Sequence, residues 1–157
     1  MVRGFEVISE FEELPKQERP QLPERKTSGS AGYDFYAMED ILLQAGDFVW
    51  IRTGIKAYMP PDEFLALYMR SSMGIKHSLR LVNCTAVIDS DYYNNPYNEG
   101  EIIAVVKNEG RQAYLLHKGE RFMQGVFQKF YVADNDNAGG ERTGGIGSTN
   151  ENVQHQC

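Results

Sequence analysis

Along this chain the apolar positions gather into short runs separated by turn-forming residues. After a first apolar stretch at residues 2 to 8 come DFYAM, ILLQAGDFVWIRTGIKAYM, FLALYMR, LRLVN, TAVID, EIIAVVKNEG, QAYLL and FMQGVFQKFYVA. Most runs are short, alternate in polarity in places, and are rich in Val, Ile, Phe and Tyr, the pattern of strands on a half-buried surface. No stretch keeps the helical period of about 3.6 residues for long, although SSMGIKHS has room for one or two turns. Between the first run and the rest, EFEELPKQERPQLPER is charged and carries Pro15, Pro20 and Pro23, which oppose a continuous helix, so it reads as a surface connector. The pattern predicts an all-β domain over residues 1–133, built as a sandwich, jelly roll or small barrel. From Asp134 the sequence turns polar and glycine-rich, and residues 134–157 read as a flexible C-terminal arm.

Composition narrows this picture. A chain of 157 residues, 41% of them hydrophobic, is the size of one domain with a core of its own. Its net charge of -6 argues against a broad surface for nucleic acid or an anionic membrane, so an anionic ligand must be held locally. Two cysteines, Cys84 within an apolar run and Cys157 at the end, make no disulfide framework, and three scattered histidines suggest no metal cage. No apolar segment of signal-peptide or membrane-spanning length is evident, and a cytoplasmic location is expected.

The candidate chemistry centres on NCTAVIDSDY, residues 83–92. Val87 and Ile88 suit a buried strand, and continued alternation would put Asp89 and Asp91 on one face at its end. Two acids this close are costly to bury unless paired, hydrogen-bonded or turned toward water or a cation. Taken alone, the stretch reads more simply as a strand running out into a hydrated turn, since YYNNPYNEG follows at once. Four other segments suit a polyanion or a close backbone approach. SGSAGYDFYA holds Asp34 between tight turns and bulky residues, and MRSSMGIKHS offers the Arg70 guanidinium, two serines and Gly74. KGERFMQGVF carries Arg121 and Gln124, and ERTGGIGSTN combines glycines, hydroxyls and Arg142. Taken singly, each is also an ordinary loop, edge or tail.

In order, AGYD, MRSSMG, NCTAVIDSDY, GERFMQGVF and RTGGIGSTN resemble the five motifs of the trimeric deoxyuridine triphosphatases (dUTPases), over about residues 27 to 150. The resemblance implies a jelly-roll-like fold and a homotrimer with sites at subunit interfaces, completed by the arm of a neighbour. It implies hydrolysis of dUTP to dUMP and pyrophosphate by water attacking the α-phosphorus, which keeps uracil out of DNA and supplies dUMP for thymidylate synthesis. Asp89 would orient and deprotonate that water, and Tyr92 would pack under the sugar. Asn83, Val87, Ile88 and Ile103 would read uracil, while Arg70, Ser71, Ser72 and Gln124 would hold phosphates. Asp34 would touch Mg²⁺ through water, the ion being held mainly by the triphosphate. Arg142 would clamp the γ-phosphate with Gly145, Ile146, Gly147, Ser148 and Thr149, whereas Asp91 would pair with a basic group.

This chain departs from the family pattern in three places. Ile146 stands where a Phe usually stacks on uracil, forgoing an aromatic term of roughly 0.5 to 1.5 kcal/mol. YNNPYNE lengthens the turn between Tyr92 and Gly100, and Arg142 lies closer to Gly145 than in many members. Two other readings share the fold: a nucleotide-sensing protein with a regulatory protein partner docked on the arm or on the lengthened turn, and a dCTP deaminase-like enzyme. The third motif offers no glutamate for the deaminase chemistry.

Overall fold

The computed structural model describes residues 2–140, 142, 144 and 145. Eleven strands run through the described residues: β1 (Gly4–Val7), β2 (Tyr33–Tyr36), β3 (Ile41–Leu43), β4 (Phe48–Arg52), β5 (Ile55–Tyr58), β6 (Glu63–Met69), β7 (Leu79–Leu81), β8 (Ala86–Asp89), β9 (Ile103–Asn108), β10 (Tyr114–Leu116) and β11 (Arg121–Lys129). Two short helices join them, α1 (Ser9–Glu12) in the connector and α2 (Ser71–His77) where one or two turns were expected. The connector therefore holds a single helical turn that stops before Pro15.

A four-stranded sheet, ordered β2-β11-β6-β8, and a three-stranded sheet, ordered β4-β9-β7, supply most of one hydrophobic core, with the pairs β1-β5 and β10-β3 completing it. All pairings are antiparallel. Alternation explains how the sheets meet: along β9 Ala104, Val106 and Asn108 turn inward while Ile103, Val105 and Lys107 stay partly exposed. Phe35, Leu65, Leu67, Phe122 and Met123 from the larger sheet pack with Ile51, Leu81, Ala104 and Val106 from the smaller. Among the described residues every buried side-chain nitrogen and oxygen has a hydrogen-bond partner. Thr53 Oγ1 donates to Ile102 O at 2.6 Å, and Asn108 Nδ2 donates to Leu43 O at 3.0 Å and Gln112 O at 2.8 Å. The all-β expectation holds.

Among the described residues several large apolar side chains of the two sheets stay exposed. Phe48 and Trp50 on β4 are each 58% exposed, and Val87 on β8 is 57% exposed. Trp50 pairs across the ladder with Val105, and both border the cavity described below.

Candidate active site

Among the described residues β8 is the edge of the four-stranded sheet and pairs only with β6, placing Leu65 opposite Ile88 and Phe64 opposite Asp89. The ladder ends at Asp89, and Ser90–Tyr92 tightens into a turn of 3-10 helix. Asp91 therefore does not continue the strand alternation as expected; the tightened turn re-aims it. The two acids still converge, on Arg142. Its guanidinium pairs with Asp89 Oδ2 through Nη2 and donates to Asp91 Oδ1 through Nε at 2.7 Å. Asp91 thus has the basic partner expected for it, but that partner is the arm residue, which lies on the acids of its own chain. Cys84 also differs from expectation. It sits exposed at a positive φ of 62° in the turn before β8, outside the apolar layer.

Beside these acids opens a cavity of about 810 Å³. Asn83, Val87, Ile88, Asp89, Tyr92, Ile103, Arg142 and Gly145, all singled out in the sequence, line it. Trp50, Leu67, Leu81, Tyr97, Asn98 and Met123 line it too and were not anticipated. Tyr97 and Asn98 belong to the lengthened turn, and the unusual length of that turn was their only signal in the sequence.

The remaining candidates gather elsewhere. Asp34, buried on β2, takes Arg70 Nε on Oδ1 at 3.0 Å and Arg121 Nη1 on Oδ2 at 2.9 Å. Arg70 is tied down further, its Nη1 donating to Arg121 O at 3.1 Å and its backbone N–H to Phe122 O at 3.0 Å. Ser71 and Ser72 follow Arg70 as the first residues of α2. Gln124 is the cross-strand partner of Asp34, and its Oε1 lies so near Gly32 that a Cβ there would come within 2.3 Å. Arg121 is a further member of this cluster; an Arg three residues before Gln124 was the available signal, read only as edge decoration. Among the described residues no three of His, Cys, Asp and Glu form a metal cage. One carboxylate already held by two guanidinium groups fits water-mediated contact with an ion carried by a ligand, not direct chelation.

The two clusters do not meet within one chain. Asp34, Gln124 and Tyr68 share one row of the sheet, while Asp89 and Phe64 share another. Three strand spacings and four residues of rise separate Asp34 from Asp89, about 19 Å at the backbone. Ile146, Gly147, Ser148 and Thr149 lie outside the described residues.

The dUTPase family profile matches residues 18–149. This chain belongs to the dUTPase family. A deoxyuridine 5'-triphosphate nucleotidohydrolase of Lactococcus lactis subsp. lactis is 45% identical over 150 residues, covering 94% of this chain and 97% of that protein. One from Desulfitobacterium hafniense is 35% identical, covering 85% and 90%. The crystal structure of the dUTPase from Streptococcus mutans superposes with a TM-score of 0.75 at 45% identity, over 84% of this chain and 99% of that one. A mutant dUTPase from phage phi11 of S. aureus, described as coordinating a structural Mg(II) ion, matches with a TM-score of 0.68 at 20% identity, over 88% and 97%, and shows the dUTPase fold alone. No described helix is long and apolar enough to cross a membrane.

Proposed function

We propose that this chain hydrolyses dUTP to dUMP and pyrophosphate as a homotrimer, at sites formed between copies. The observation that carries the reading is the placement of Asp89 at a strand end, beside a cavity lined by the residues expected to read uracil and deoxyribose. In this reading the Asp89 carboxylate accepts a proton from a water molecule as its oxygen bonds to the α-phosphorus. The bond from that phosphorus to the bridging oxygen breaks, and pyrophosphate leaves with the electron pair. Asn83, Val87, Ile88 and Ile103 bound the uracil, and Tyr92 lies under the sugar. Arg70, Ser71, Ser72 and Gln124 bind phosphates, with Arg121 steadying the corner.

Mg²⁺ bound to the triphosphate would offset charge on the phosphoryl oxygens, with Asp34 contacting its water ligands. Asp34 meanwhile holds Arg70 and Arg121 in place. Arg142, here paired with Asp89 and Asp91, would exchange those carboxylates for the γ-phosphate as the arm closes, freeing the base. Gly145, Ile146, Gly147, Ser148 and Thr149 would close with it.

The distance between the clusters supports sites between copies. A triphosphate whose α-phosphorus meets Asp89 has only two phosphates left, too few to reach Arg70 of the same chain. The exposed face around Phe48, Trp50 and Val87 gives neighbouring copies an apolar surface to cover.

Pyrophosphate release from dUTP, dTTP, dCTP and UTP, with Mg²⁺ and with chelator, tests this. Release from dUTP alone, lost on chelation, is expected. Asp89→Asn should keep dUTP binding while turnover falls by orders of magnitude; equal loss of both would overturn the base assignment.

A further inference from the structure

The lengthened turn at residues 93–99 is a built structure, and its hydrogen bonds converge on Tyr92. Asn95, buried, accepts the N–H groups of Tyr97 at 3.0 Å and Asn98 at 3.2 Å on Oδ1, while its Nδ2 donates to Tyr92 O at 2.8 Å. Asn98 Oδ1 accepts from Asn95 Nδ2 at 2.8 Å and from the Gly100 N–H at 3.1 Å. A carbonyl oxygen must face those two donors, so the orientation of the Asn98 amide is fixed. Its Nδ2 is thereby turned to the Tyr92 hydroxyl, 2.8 Å away. That hydroxyl gives its one proton to Glu101 O at 3.1 Å. Asn98 also lines the cavity itself.

We propose that Asn98 is a positioning and specificity-determining residue for the sugar: it saturates the Tyr92 hydroxyl and locks the ring as a wall with no hydrogen bond to offer a ribose 2′-hydroxyl. The inference rests on the reading of Tyr92 as the aromatic beneath the deoxyribose. With its proton committed to Glu101 O and its oxygen committed to Asn98, Tyr92 leaves a 2′-hydroxyl brought against it desolvated and unpartnered, which favours the deoxyribonucleotide. A Cβ at Gly145 would lie 3.1 Å from the Tyr92 hydroxyl, so the arm crosses the ring where there is room only for glycine or a slight shift.

The test is the ratio of kcat/KM for dUTP to that for UTP, measured on the full-length protein. Asn98→Asp keeps the acceptor facing Asn95 and Gly100 but puts an acceptor in place of the donor toward Tyr92, drawing the phenolic proton off Glu101 O. Asn98→Ala removes the side-chain bonds to Asn95, Gly100, Tyr92 and Glu101 O together. Both variants should lower the ratio by about tenfold, through a gain for UTP. On a Tyr92→Phe background neither should lower it further, because the hydroxyl through which Asn98 acts is gone. An unchanged ratio in folded Asn98→Asp, or an equal fall on the Phe background, overturns the proposal. A wild-type protein inactive on dUTP would instead sink the hydrolase reading itself, so the two failures are distinguishable.

Discussion

The two ends of the four-stranded sheet are held in different ways. At the Asp89 end the neighbouring turn is set by backbone hydrogen bonds together with the inward-facing amides of Asn95 and Asn98. The turn after Tyr92 is closed by Asn94 N–H to Glu99 O at 2.9 Å and Glu99 N–H to Asn95 O at 3.0 Å, and Gly100 at φ +84° completes it. At the Asp34 end the order lies mainly in side chains, two arginines on one carboxylate and Gln124 folded over Gly32. The difference matches the tasks proposed for them. Telling uracil and deoxyribose from close relatives needs walls that do not yield, whereas holding a triphosphate needs cations held in place with donors to spare for phosphate.

If the two ends serve different copies, mixing should expose it. Asp89→Asn and Arg70→Ala proteins are each expected to be nearly inactive. Unfolded and refolded together, they should regain roughly a quarter of wild-type turnover, because random assembly gives that share of sites both intact halves. Activity no higher than that of the parents would mean that one chain supplies both ends, against the separation of the two clusters.

Next in size is a pair of glycine substitutions that probe rigidity. At Gly100 a Cβ would meet Tyr92 O at 2.5 Å, and the positive φ strains any other residue. Gly100→Ala should cost about 1 to 3 kcal/mol in denaturant unfolding and lower the preference for dUTP over UTP. At Gly32 the obstacle is the movable end of Gln124. Gly32→Ala should change stability by no more than about 0.5 kcal/mol yet raise KM for dUTP by displacing that amide. Equal costs at the two sites would erase the contrast.

Much of this was legible in the sequence because it is local. The apolar alternation gave the strands, and the cavity-lining residues from Asn83 to Tyr92 lie close together along one strand and its turns. What stayed hidden depended on pairing across the fold. The partnership of Arg121 with Asp34 arises from antiparallel register between β11 and β2, with an irregularity between Arg121 and Met123 that no run of apolar residues encodes. Asn98 was obscured for another reason. The lengthened turn is polar, and a polar loop reads as solvated until its amides are seen to face inward. Asp91 was misplaced because alternation was carried past the point where the chain tightens into a 3-10 turn.

The smallest expected effect concerns how the Asp89 end is moored. Glu99 accepts hydrogen bonds from the hydroxyl of Ser9 and from its N–H, the latter at 3.1 Å, and pairs more weakly with Lys56 Nζ at 3.4 Å. These contacts, the Ser9 side chain foremost, hold its carboxyl below the ordinary glutamate value. A carboxyl depressed in the folded state stabilises the fold above its unfolded pKa, and that contribution is lost as pH falls through the folded value. Glu99→Gln should therefore melt slightly below wild type at pH 7, with the gap closing as the pH drops below about 4. Melting curves of both proteins from pH 3 to pH 8 would show it. A gap that persisted in acid would mean that the turn is moored by packing and neutral hydrogen bonds, with no share owed to the charge on Glu99.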